Sequence, residues 1–261
     1  MGPDDRYTTI LLDAMRTSAK YQPKFGLGRD ISLNEFEALY GDDPLYSWIG
    51  LDIPAMYSAH KAAGGITSIY RQLGIGCERL FRTLIIDRFD LTETQANWQY
   101  TIRGSDDRSR TLKLDGRIAL RHLADSPEKR RMEEWLQGFK RKLDVKSDIG
   151  GAVFEVRQGY KSKDSKRQNA DLANATNAYT QRYLPVLVVM SLQLDTDLRK
   201  RYEAGKWGVL SGSIVSDDPY YSTYAFCNHV INYDLKQFFE RNTEHLREEV
   251  ALIIDRLLAQ Q

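Results

Sequence analysis

Apolar residues along this chain recur first at helical spacing, then at every second position, and then at helical spacing again. Ser32-Leu33-Asn34-Glu35 has the spacing of a capping box and predicts a short helix that Gly41 ends. Asp52 to Ala62 also reads as helix, with Pro54 near its first turn, and Gly64-Gly65 is expected to break it. Beyond the pair, Ile66, Ile69, Leu73, Cys77, Leu80, Phe81, Leu84 and Ile85 follow one another at intervals that describe a second helix with a broad buried face. A bend is expected there at Gly74 and Gly76.

The period then changes to two. Trp98 to Arg103 and Thr111 to Leu120 read as strands joined by a polar turn over Gly104 to Ser109. In the second strand Leu112, Leu114 and Ile118 fall on one face, and Lys113, Asp115 and Arg117 on the other. Ser126-Pro127-Glu128 is a strong helix start, and the helix it opens buries Met132, Trp135, Leu136, Phe139 and Leu143. Gly150-Gly151 introduces a third strand, Ala152 to Gln158, with Phe154 and Val156 on one face and Glu155 and Arg157 on a polar one. A basic turn, Lys161 to Arg167, leads to a helix from about Ser165 to Arg182. A fourth strand, Leu184 to Met190, is apolar on both faces and so belongs at the centre of a covered sheet. A short helix after Asp195, a strand near Trp207 to Ile214 and a helical C-terminus with a stripe at Leu246, Val250, Ile253 or Ile254, and Leu257 complete the pattern. The expectation is an α/β (α+β) fold: a single domain with a mixed sheet, helices on both sides, and a helical part over residues 1–64.

Composition narrows the class. The 261 residues are 42% apolar and 28% charged, which excludes a disordered chain and a small disulfide scaffold. Cys77 and Cys227 sit in apolar stretches and are expected to be reduced and buried; with no signal-peptide layout at the N-terminus, a cytoplasmic location is expected. The net charge of +1 conceals an uneven distribution. Residues 1–59 carry five basic and nine acidic side chains; residues 108–146 carry twelve basic and six acidic; and residues 157–167 carry five basic against Asp164 alone. A polyanion would respond to this middle region, although any one charge run is as readily a solvated face.

Two carboxylates stand out within that region. Asp115 in Leu-Asp-Gly-Arg-Ile and Glu155 in Val-Phe-Glu-Val-Arg are each flanked by strand residues that anchor the backbone, so each acid has a defined direction. Paired rigid carboxylates suit a hard divalent cation such as Mg²⁺, which prefers oxygen ligands and polarises phosphoryl oxygens. Arg157, two residues after Glu155, shares its strand face and would stabilise charge on a phosphate. Arg157→Ala is expected to abolish such chemistry while leaving the fold intact, because the position is on a polar face. The four histidines are scattered without zinc-ligand spacing, and the Gly-x-Gly pairs at 26–28 and 74–76 complete no nucleotide fingerprint. Tyr220, Tyr221 and Tyr224 suit packing better than base stacking.

An Asp strand, a Glu-x-basic strand, a basic helix and an apolar strand, preceded by a helix over 66–88, together resemble the αβββαβ core of the PD-(D/E)XK nucleases, type II restriction endonucleases in particular. The resemblance spans roughly residues 66–190. It implies a Mg²⁺-dependent double-stranded DNA endonuclease, a homodimer matched to a symmetric site, and a companion DNA methyltransferase. It implies metal binding by Asp115 and Glu155, and a supporting acid at Glu78 in Gly-Cys-Glu-Arg-Leu-Phe. Polar contributors from the following helix would be Gln168 and Asp171. Where the family pattern has lysine this chain has Arg157, which stays protonated and cannot serve as a base; Lys161 or Lys163 would reach in from the turn. Lys161, Lys163, Lys166, Arg167 and Gln168 are the expected DNA contacts, at a turn feeding a helix N-terminus. Asp148, seven residues before Glu155, is a rival for Asp115 but lacks the apolar strand around it. A DNA-binding protein of the same fold without cleavage is the alternative that the missing lysine suggests.

Overall fold

The computed structural model describes residues 2–103, 109–160 and 165–259; side chains at 102–103, 109–110, 112, 165–170, 172–173 and 259 lie outside the description. In chain order the helices and strands are α1 (Pro3–Arg16), α2 (Leu33–Gly41), α3 (Pro44–Trp48), α4 (Pro54–Phe89), α5 (Glu93–Ala96), β1 (Trp98–Arg103), β2 (Ser109–Leu114), β3 (Gly116–Ala119), α6 (Pro127–Lys142), β4 (Gly151–Arg157), α7 (Ser165–Thr180), β5 (Leu184–Val189), α8 (Thr196–Ala204), β6 (Gly208–Leu210), α9 (Thr223–His229), α10 (Leu235–Arg241) and α11 (Thr243–Ala259). The chain divides into two compact units: residues 1–76 with 242–261, and residues 77–241. Among the described residues no helix is long and apolar enough to cross a membrane.

The first unit is helical. The capping box at Ser32 is present, with Ser32 Oγ accepting from the Glu35 amide and Glu35 accepting from the Ser32 amide. Ile31, Phe36 and Tyr57 form a small core with Phe25, Leu33, Tyr40 and Met56 against it. Arg16 of α1 pairs with Glu249 of α11 at 2.6 Å. The expected break at Gly64-Gly65 does not occur, because α4 runs through both glycines for 36 residues. The glycines serve contact instead. A Cβ at Gly64 would lie 2.0 Å from the Tyr21 hydroxyl, and one at Gly65 would lie 2.4 Å from Leu257 Cδ2. Helix propensity lost at each, about 1 kcal/mol relative to alanine, is offset by close packing. The broad buried face also shortens: Cys77, Leu80, Phe81, Leu84 and Ile85 are buried, whereas Ile66 is exposed.

The second unit is built on a four-stranded mixed sheet of order β3-β4-β5-β6. β3 runs antiparallel to β4, and β4, β5 and β6 run parallel. A separate antiparallel hairpin pairs β1 with β2. Helices cover both faces. On one, Phe154 of β4 meets Phe81 of α4, Trp135 of α6 and Phe226 of α9, with ring centroids 5.2 to 6.5 Å from its own. On the other, Val153, Leu187, Val189 and Val209 pack with Ala175 and Ala178 of α7, Leu198 and Tyr202 of α8, and Trp98 and Tyr100 of the hairpin. β5 is buried at all six positions, as its apolar run predicts. Ser126 caps α6 by accepting from the Lys129 amide, and the helix buries the expected Met132, Trp135, Leu136 and Phe139. Cys77 and Cys227 are free and buried, and burial pushes the Cys77 thiol up to about 12.

Three strand expectations change. Thr111 to Leu120 is not one strand: it bends at Asp115, so that Leu114 pairs with Trp98 in the hairpin while Gly116 pairs with Phe154 in the main sheet. Asp115 therefore lies between strands rather than on a polar strand face. The face of β4 bearing Glu155 and Arg157 is covered, because α7 and α8 pack over it. The strand near Trp207 shrinks to Gly208–Leu210, since the chain leaves the sheet after Ser211, which bridges only to Ser222, and Ile214 is exposed. The Gly104-to-Ser109 turn lies outside the described residues except at Ser109.

Candidate functional site

Asp115 is held by its backbone and its side chain at once. Its amide donates to the Phe154 carbonyl at 2.7 Å, continuing the β3–β4 ladder by one residue. Its own carbonyl accepts from Arg82 Nε of α4 at 2.7 Å. Its Oδ2 accepts from the Val156 amide at 2.8 Å. That amide lies just past the point where β3 begins, and the carboxylate satisfies it, as a buried N–H requires. The bend thus turns a potential strand residue into a cap on β4, and the cap brings the Asp115 carboxylate to the neighbourhood of Glu155, forty positions later.

β4 presents the rest. Alternation along Gly-Ala-Val-Phe-Glu-Val-Arg puts Glu155 and Arg157 on the side facing α7, where Glu155 is only 7% exposed. Arg157 forms ion pairs with Glu155 and, at 3.3 Å, with Asp171 of α7; its guanidinium lies 5.6 Å from the centre of the Tyr160 ring. Asp171, 6% exposed, is gripped further by two hydroxyls. Tyr202 donates to its Oδ2 at 2.6 Å and Tyr160 at 3.2 Å, and the two hydroxyls are 3.0 Å apart.

The electrostatics follow from this crowding. Burial raises Glu155 well above the usual carboxylate range, and the charges of Asp115, Asp171 and Glu78 push the same way, against Arg157. Burial also raises Asp115, opposed by the Val156 amide and by Arg157 and Arg82. For Arg157, burial works against the charge, but Glu155, Asp171 and Asp115 outweigh it and the guanidinium is held above its ordinary value. Acids outnumber Arg157 in this cluster. The raised values of Glu155 and Asp115 are the response, since a buried carboxyl without a matching cation holds its proton.

The structure therefore brings together Asp115, Glu155, Arg157 and Asp171, with the charge of Glu78 felt at Glu155. It leaves Asp148 exposed on the surface, paired with Arg182. Lys161 and Lys163 lie outside the described residues. Lys166, Arg167 and Gln168 are in the first turn of α7, with side chains outside the description. Sequence reading missed Arg82, Tyr160 and Tyr202 as members of this network. Tyr160 carried a weak signal, being next to the basic turn; Tyr202, thirty-one residues beyond Asp171, carried none.

The donor set is one of oxygens. Among the described residues no group of three or more His, Cys, Asp or Glu is placed to hold a metal ion. What remains is a pair, Asp115 and Glu155, and a pair of carboxylates completed by waters and phosphate oxygens is the normal protein contribution to a Mg²⁺ site. It is not a zinc set, which takes four protein ligands or three with nitrogen or sulfur. Comparison of the chain with family models, with curated proteins and with solved structures finds no match.

Proposed function

We propose that this chain is a Mg²⁺-dependent double-stranded DNA endonuclease of the type II restriction kind, working as a homodimer beside a companion DNA methyltransferase. The observation that carries the reading is the convergence of Asp115 and Glu155 beside Arg157: a bend between strands and a neighbouring strand bring two acids to one place, where carboxyl groups outnumber the arginines Arg157 and Arg82. The element order supports the PD-(D/E)XK branch. With α5 and α6 taken as insertions, the 77–89 part of α4, β1, β2 with β3, β4, α7 and β5 follow one another in the order αβββαβ, although β1 and β2 form a hairpin separate from the main sheet.

Asp115 and Glu155 would hold the ion, which when bound supplies a Lewis acid for a phosphoryl oxygen and lowers the pKa of water. The chain's own groups do the rest. Glu155 retains its proton to higher pH than an ordinary glutamate, so a cation held there would have to displace that proton and its affinity would rise with pH. Arg157 exchanges part of its pairing with Glu155 and Asp171 for a phosphate oxygen; permanently charged, it stabilises but does not accept a proton. Asp171, fixed by Tyr160 and Tyr202, keeps the guanidinium in place. Lys161, Lys163, Lys166, Arg167 and Gln168 contact the DNA backbone, and Glu78 supports the metal acids.

Purified protein incubated with mixed duplex DNA and Mg²⁺ yields discrete fragments on this reading, and Asp115→Asn or Glu155→Gln abolishes them. In the absence of DNA, Mg²⁺ raises the thermal midpoint of the native protein and not of either variant. A second reading, DNA binding without cleavage, is favoured by one observation: Arg157 stands where the family has lysine and is already paired with two carboxylates. Salt-sensitive DNA retention with no cutting under any divalent cation would establish that alternative.

A further inference from the structure

The first unit contains a cavity that the nuclease reading does not use. Its volume is about 310 Å³, and Leu33 of α2, Pro54 and Ala62 of α4 and Leu257 and Leu258 of α11 form an apolar wall. Three polar side chains interrupt that wall: Tyr57, Ser58 and Lys61. Tyr57 is already committed, its hydroxyl donating to the Ile31 carbonyl at 3.0 Å and lying 3.3 Å from Gln22 Oε1. Lys61 is not. It is 5% exposed, and its Nζ is buried with no hydrogen-bond partner among the described residues. Lysine is rarely buried without a paired charge, because the ammonium loses its hydration and gains nothing in exchange. Burial accordingly lowers its pKa. Among the described residues no carboxylate lines this cavity to relieve it.

We propose that this cavity is a binding site for a small amphipathic anion, an apolar body of roughly ten non-hydrogen atoms with one carboxylate that pairs with Lys61. The size matches the lower end of small-molecule sites, which are mostly apolar with a few placed polar groups. The charge fits because a carboxylate is the group that satisfies a buried ammonium, and charge-assisted bonds in dry surroundings are strong. The long lysine stem lets the Nζ move to meet the head group while its methylenes remain in the apolar wall. The site lies wholly within the first unit and does not depend on the nuclease reading.

The test is a titration of the full-length protein with linear alkanoates from butanoate to decanoate, and with the alcohols of the same chain length, followed by calorimetry. Saturable alkanoate binding that strengthens with chain length and then stops at the cavity's capacity is expected. In Lys61→Met, which fills the same volume without the charge, alkanoate affinity falls at least tenfold while alkanol affinity changes less than threefold. Leu257→Trp, which fills the cavity with a larger side chain, loses both, and it provides the comparison should Lys61→Met fold poorly. Two results would overturn the proposal: no saturable binding of any alkanoate at millimolar concentration, or an alkanoate affinity that Lys61→Met and Leu257→Trp leave unchanged.

Discussion

At Glu155, burial and neighbouring negative charge act in the same direction, so folding makes this carboxylate a weaker acid than it is in the unfolded chain. The sign of the consequence is definite. The folded state binds the proton more tightly, so stability is greatest below the ordinary glutamate pKa of about 4.3 and declines as pH rises through the raised folded value. Asp115 contributes with the same sign. Glu155→Gln should therefore flatten that decline and raise the thermal midpoint near pH 7, by ~2–4 °C for each kcal/mol relieved in a domain of this size, while removing Mg²⁺ binding. A fall in the midpoint instead would mean that the Glu155–Arg157 pair is structural. Arg157 behaves differently from its sequence expectation. At 13% side-chain exposure among Glu155 and Asp171 it is not a surface cation, and Arg157→Ala should lose ~3–5 kcal/mol of stability by stranding buried carboxylates. Chemical denaturation measures this directly, and Arg157→Lys, which keeps the charge but loses the planar fork, should recover part of it.

Secondary-structure elements were legible wherever their signals are local. The Ser32 and Ser126 caps, the β1 span and the doubly buried β5 depend on short-range chemistry and alternation, and they stand where the pattern puts them. The misreadings have a common cause: a partner distant in sequence overrides a local preference. Gly64 and Gly65 look like a break, yet Tyr21 and Leu257 occupy the space their absent side chains leave. Gly64→Ala, ordinarily worth up to about 1 kcal/mol of added helix stability, should instead destabilise by ~1–3 kcal/mol through overpacking against the Tyr21 ring. A urea midpoint that rises would show that the ring moves aside freely. The run from Thr111 to Leu120 alternates without interruption, and only its two sets of partners, Trp98 and Phe154, show that it serves two sheets. The candidate site depends on that same bend, which is why Asp115 could be nominated by residue type but not placed.

For the molecule as a whole, the nuclease reading predicts a two-fold assembly and a salt-dependent grip on DNA. Sedimentation should give twice the chain mass, and the logarithm of the DNA affinity should fall linearly with that of salt, its slope counting the phosphates neutralised. Neutralising Lys161 and Lys163 together should reduce the slope by about two phosphate contacts without changing fold stability. A monomer with no DNA retention at low salt would leave the basic middle region as solvated surface. The uneven charge bears on this outcome more than the net value does, since a polyanion meets the local field of residues 108–167 rather than an average of +1.

Pattern and composition alone determined that this chain folds as helices around a mixed sheet and that its central strand is covered on both faces, and they nominated Asp115, Glu155 and Arg157 by residue type. Periodicity and capping are properties of neighbours in the chain, and they are readable there. Folding in three dimensions determined that Asp115 caps β4 from just before the start of β3, that Asp171 and two tyrosines close around Arg157, and that Lys61 has no partner among the described residues in an apolar cavity. Each of these depends on groups that the chain separates and packing unites, and burial then sets their charge.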